Sequence, residues 1–229
     1  MAQTVQQDRK AATQGANALR VTAAVFGAYA GFLGCEHGFF EALQGNSTPA
    51  AARIMAVSGP GLPFPFGHEP ALTVLPNYVA TGILAMIIGL TIIAWSSMFV
   101  QRKHGAVVLA LLSSLLFLFG GGFGPVSLLI AAVIAAAGSG KSPGSGRQLL
   151  SPLLRQASAR LWPWMLSAAL VWVPFELVLG LIFHLTNDPQ QRLNNLNLLL
   201  SYPLLIFIAL TVATGFARQA QQSIAAQDA

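Results

Sequence analysis

Apolar residues run almost unbroken over Leu19–Leu43, Tyr78–Val100, Gly105–Gly120, Phe123–Gly138, Leu161–Leu185 and Leu196–Phe216. These runs lack both the two-residue alternation of a half-exposed strand and the polar face of a surface helix. They predict helices with apolar surroundings on every side. About 20 residues are needed to cross a hydrocarbon layer ~30 Å thick. The third and fourth runs fall short: at ~1.5 Å per residue each covers about 24 Å, so the pair reads as two short spans or one broken one.

Composition sets the class. With 55% hydrophobic and only 8% charged residues, too few polar side chains remain to solvate a soluble domain. The net charge of +5 comes from basic residues that flank the apolar runs, which argues against nucleic acid and for an orientation signal in the lipid bilayer. With six spans, Arg9, Lys10, Arg20, Arg102, Lys103, Lys141, Arg147, Arg155, Arg160 and Arg218 fall on one side, leaving Arg53 and Arg192 on the other. Five spans would carry Lys141, Arg147, Arg155 and Arg160 outward, against the positive-inside bias. The expected fold is therefore an all-α membrane protein, a single-domain six-transmembrane-helix bundle with N- and C-termini cytoplasmic. The basic leader before Ala28-Tyr29-Ala30 has features of a cleavable signal, but hydrophobicity continues past that point, so a retained first helix is expected.

Two connections stand out. The outer loop 44–77 holds Pro49, Pro60, Pro63, Pro65, Pro70 and Pro76, which favour extended or turn structure; it should lie over the outer mouth of the bundle, bringing His68 and Glu69. On the inner side, segment 139–160 combines a Gly/Ser linker with Leu149, Leu150, Leu153 and Leu154 beside Arg147, Arg155 and Arg160, the pattern of an interfacial amphipathic helix. Gly140-Lys141-Ser142 is not a phosphate loop, because Ala135 stands where that motif needs glycine and no strand precedes it.

The ionisable residues are sorted by side. Glu36, His37, Glu41, His68, Glu69, Glu176, His184 and Asp188 fall in or near the outer half, whereas Asp8, Asp228 and His104 lie inside. Such groups at membrane depth are costly and tend to face a cavity, a partner or a solute path. His37 and Glu41 form an i, i+4 pair able to share a proton or cation, while Glu36 points to the opposite side of the helix. The bland alternative is hydration of both at the outer helix end. Glu176 follows Pro174 well inside the fifth run; it serves either as a structural tie to a backbone carbonyl or in handling a solute or proton. Gly27, Gly31, Gly34 and Gly38 line one stripe of the first helix, where close packing with a neighbouring helix, a second copy or a membrane partner is expected. Gly120-Gly121-Gly122-Phe123-Gly124-Pro125 joins the short helices and is either a tight turn or a set of free amides lining a wet cavity. The lone Cys35 reads as a small buried thiol.

No zinc-protease helix, paired CxxC, nucleophile elbow or dinucleotide fingerprint is present. A divalent metal held by His37, Glu41 and His68 would suit a membrane enzyme acting on a lipid-phase or periplasmic substrate. The expected function is instead binding or transport of a small cation, proton or polar solute in an outward-facing cavity formed by His37, Glu41, Glu36, His68, Glu69 and Glu176. A third reading is an accessory subunit packed through the glycines of the first helix. The phrases Gly34-Cys35-Glu36-His37-Gly38 with Glu41 and Gln44-Gly45-Asn46, Gln101-Arg102-Lys103-His104-Gly105 and Gly120-Gly121-Gly122-Phe123-Gly124-Pro125 resemble those of multi-pass bacterial membrane proteins without an assigned activity. The likeness spans roughly residues 1–140 and implies a bacterial inner membrane.

Overall fold

Asn17 starts the first helix, its side chain accepting from the amides of Leu19 and Arg20 that have no partner within the first turn. The computed structural model describes residues 17–55, 70–139, 151–185 and 190–227. His68, Glu69, Asp188, the linker around Lys141 and the side chain of His184 lie outside the described residues. Helix α1 runs Ala18–Leu43, followed by strands β1 (Arg53–Met55) and β2 (Pro70–Leu72). Then come α2 (Tyr78–Met98), α3 (Gly105–Leu118), α4 (Phe123–Ser139), α5 (Pro152–Leu185) and α6 (Gln190–Gln227).

Among the described residues the protein is thus all-α apart from one antiparallel pair of short strands. Among the described residues three helical stretches are long and apolar enough to cross a membrane, Ala18–Leu43, Tyr78–Met98 and Tyr202–Ile224, and α3 and α4 are shorter apolar helices. Every helix leaves large apolar side chains uncovered: Phe32, Leu90, Leu111, Ile130, Val171 and Leu199 are each more than half exposed. A surface of that kind on every helix is suited to lipid and ill suited to water.

Helices α1 and α2 form the closest pair. A Cβ built on Gly31 would lie 2.6 Å from the carbonyl oxygen of Gly89, and one on Gly38 would lie 2.5 Å from that of Gly82. The two contacts are seven residues apart on both chains and run in opposite senses, so α1 and α2 cross antiparallel with backbone against backbone. A seven-residue repeat keeps the same faces together along such a pair. Gly27 and Gly34 continue the stripe against Ser96 of α2 and Leu116 of α3. The close approach expected of these four glycines is made inside the chain.

Hydrogen bonds place the remaining ends. Asn17 Nδ2 donates to the Ser139 carbonyl at 3.0 Å, Trp162 Nε1 to Thr22 Oγ1 at 3.0 Å and Gln219 Nε2 to the Gly138 carbonyl at 3.4 Å. Arg218 caps this cluster, donating to the Ala159 carbonyl at 3.3 Å and lying 5.0 Å above the Trp162 ring. The start of α1, the end of α4, the first turns of α5 and the end of α6 therefore share one end of the bundle. The end of α1, the start of α2 and the α3–α4 turn share the other, so successive helices alternate in direction.

Two features depart from the pattern in the sequence. Segment 152–160, expected as a separate amphipathic helix, is continuous with the fifth apolar run in the 34-residue α5, which carries Pro163 and Pro174 in its interior. Pro152 sits in the first turn, where its missing amide costs nothing, and Ser151 receives the first bond from Arg155 N at 2.9 Å. The outer loop, expected to be extended or turned, pairs with itself: Arg53, Ile54 and Met55 oppose Leu72, Ala71 and Pro70 in an antiparallel register. Pro70 takes the end position of its strand, where a missing donor is tolerated.

Candidate proton or cation site beneath the α3–α4 turn

The α3–α4 turn descends onto the end of α1. Gly120 and Gly122 adopt φ of +90° and +72°, the left-handed region that side chains disfavour, and both face α1. A Cβ on Gly120 would fall within 2.5 Å of the Glu41 carboxyl carbon, and one on Gly122 within 2.6 Å of His37 Nδ1. The turn therefore needs glycine twice over, for its backbone and for the side chains beneath it. His37 and Glu41 lie one helical turn apart on the same face, with 3% and 0% exposure.

Strand β2 holds the turn down. Gly120 N donates to the Leu72 carbonyl at 2.8 Å and Val74 N to the Leu118 carbonyl at 3.1 Å, with Thr73 and Phe119 bridged between them. Thr73 N donates in turn to the Ala52 carbonyl at 2.8 Å, which links this seam to the strand carrying Arg53. Thr73 Oγ1 shares a buried 2.7 Å hydrogen bond with Thr81 Oγ1, fixing the seam to α2. The cover over His37 and Glu41 is thus a layer of paired backbone.

Glu41 is the unusual member. Neither of its carboxyl oxygens has a hydrogen-bond partner among the described residues, although both are buried. A bare carboxylate there would be an uncompensated charge in an apolar surround, a state that costs several kcal/mol at least. The oxygens call for a proton or a cation. Among the described residues no three His, Cys, Asp or Glu side chains gather as a metal-ligand set.

Among the described residues the other acids expected at this site lie elsewhere. Tyr29, seven residues before Glu36 and so on the same face of α1, has Glu36 and Glu176 as charged neighbours, and its hydroxyl reaches the Leu170 carbonyl at 3.5 Å. Glu176 Oε1 accepts from Trp172 Nε1 at 2.8 Å. Glu36 and Glu176 therefore belong to the flank of α1 that meets α5, apart from His37 and Glu41 beneath the turn. The i, i+4 spacing of Trp172 and Glu176 was a readable signal for that tie. Likewise the seven-residue spacing of Gly82 and Gly89, matching Gly31 and Gly38, was a readable signal for the α1–α2 contact.

No protein-family model matches this chain, and no curated protein or solved structure matches it either.

Proposed function

We propose that this chain is a six-span membrane protein, with its termini and basic loops on the inside, that holds a proton at Glu41 exchangeable for a small monovalent cation. The observation that carries the reading is Glu41 itself: buried, with neither oxygen hydrogen-bonded among the described residues, and covered by a turn that has no side chain to offer it. One carboxylate beside one imidazole matches a single positive charge better than two. His37 is the second group of the site, presenting its ring beside Gly122.

The alternating helix directions support the orientation. They put Arg20, Arg102, Lys103, Arg155, Arg160 and Arg218 at one end and Arg53 at the other, the asymmetry expected of a cytoplasmic and an external face. The resemblance of the glycine- and histidine-bearing phrases supports a bacterial inner membrane. Purified protein in unbuffered detergent tests the reading: a sodium or lithium salt should release protons stoichiometrically, and Glu41→Gln should abolish the release. Equal release from both proteins sinks it.

A further inference from the structure

We infer that the Glu41 site is loaded from the outer face alone, by parting of the seam that residues 72–74 make with the α3–α4 turn, so that site occupancy and closure of this seam are coupled. The inference rests on reading Glu41 as a proton or cation site and adds its route and its control.

The inward direction is closed. Below His37, α1 turns Gly34, Gly31, Ala30, Gly27, Phe26 and Ala23 toward the interior, all of them buried. Leu116 fills the space at Gly34, and Gly89 with Ile93 that at Gly31. The next polar side chain along this face is Ser96, opposite Gly27, ten residues and about 15 Å of helix from His37. Ser113 and Cys35 donate to the carbonyls of Leu109 at 2.7 Å and Met86 at 3.4 Å, so their hydrogens are already engaged with backbone. A cation moving inward would have to shed its ligands over that distance, and a proton would have no carrier among the described residues.

The outward direction is closed differently. Between Glu41 and the outer surface stands the turn, held by backbone hydrogen bonds to Leu72 and Val74 in a seam that the Thr73–Thr81 pair fixes to α2. Each such bond contributes little net stability, so local opening of the seam is far cheaper than unfolding of the bundle. Among the described residues the ionisable groups around this route are few. His37 lies on the same helix as Glu41, the turn with α3 and α4 carries no ionisable residue, α2 begins at Tyr78, and β1 brings Arg53. Glu36 and Glu176 stand on the other flank with Tyr29. Neutralising Glu41 removes the main reason for water to enter beneath the turn, so the occupied site favours the closed seam.

The test uses the full chain in sealed vesicles of known orientation and a membrane-impermeant cationic carbodiimide, which modifies carboxyl groups, with mass spectrometry of the Glu41 peptide. Reagent outside should modify Glu41 and sodium should protect it; reagent inside should leave it unmodified. Val74→Cys with Leu118→Cys, in a Cys35→Ala background, places a cross-link between two exposed positions joined across the seam by the Val74 N to Leu118 carbonyl hydrogen bond. Oxidation should slow modification from outside at least tenfold, and reduction should restore it. Modification from the inside, or a rate untouched by the cross-link, would overturn the inference. In detergent, where both ends of the bundle are open, Glu41 that reacts with the reagent but is not protected by sodium would instead overturn the cation-site reading on which the inference rests.

Discussion

Replacing Gly120 by alanine should do two separable things. At φ +90° the new Cβ meets its own backbone, a cost of about 1–2 kcal/mol for an L-residue. It also arrives within 2.5 Å of the Glu41 carboxyl carbon, a contact relieved only by swinging the buried carboxyl aside or by lifting the turn off Leu72. Overpacking of this kind costs about 1–3 kcal/mol, which makes the total about 2–5 kcal/mol. Gly45 is the internal control: its φ is +78°, but nothing lies within 4 Å of its Cβ position, so Gly45→Ala should show the backbone part alone. Reversible unfolding in mixed micelles measures both, and the difference should be about 1–3 kcal/mol. A double-mutant cycle with Glu41→Ala should recover most of that difference, because the obstructing carboxyl is then gone. Salt-triggered proton release should be impaired in Gly120→Ala and normal in Gly45→Ala. Equal destabilisation by the two glycine variants, with normal proton release in both, would refute the argument that the turn sits on Glu41.

The α1–α2 contact predicts that Gly82→Ala destabilises the bundle by about 2 kcal/mol in the same unfolding assay, since its Cβ would lie 2.6 Å from the Ala42 amide nitrogen and backbone cannot step aside; a change near zero would contradict the backbone-to-backbone crossing. For topology, in a Cys35→Ala background, the exposed positions Thr48→Cys and Lys103→Cys should react with an impermeant thiol reagent from outside and inside respectively. Both reacting from one side would overturn the six-span orientation.

How much of this was legible in the sequence varies with the range of the interaction involved. The apolar runs gave α1 within a residue of its ends, because burial on all sides leaves a continuous signal. Asn17 and Asn77 supplied caps that any local reading can recognise. The His37–Glu41 pairing on one helix face was legible too, since helical geometry fixes it. That Gly120 and Gly122 cover these two side chains was not, because the contact joins residues some eighty positions apart and a glycine turn bears no mark of what lies beneath it. The β1–β2 hairpin escaped for a related reason: three-residue strands beside Pro70 carry too little alternation to be seen. The continuity of α5 was hidden by Arg155 and Arg160, which mark the segment before Leu161 as interfacial and so separate from the apolar run, although one helix carries both.

The central claim is that the Glu41 carboxyl holds a proton or a cation in place of a hydrogen-bonded partner. Difference infrared spectroscopy on the cation-free protein addresses it directly. A protonated carboxyl band without the shift of a strong hydrogen bond should be present, should be absent in Glu41→Gln, and should convert to carboxylate absorption when sodium or lithium saturates the site. A spectrum in which Glu41→Gln removes no carboxyl band, or in which that band is unchanged by cations at every concentration, would contradict the account.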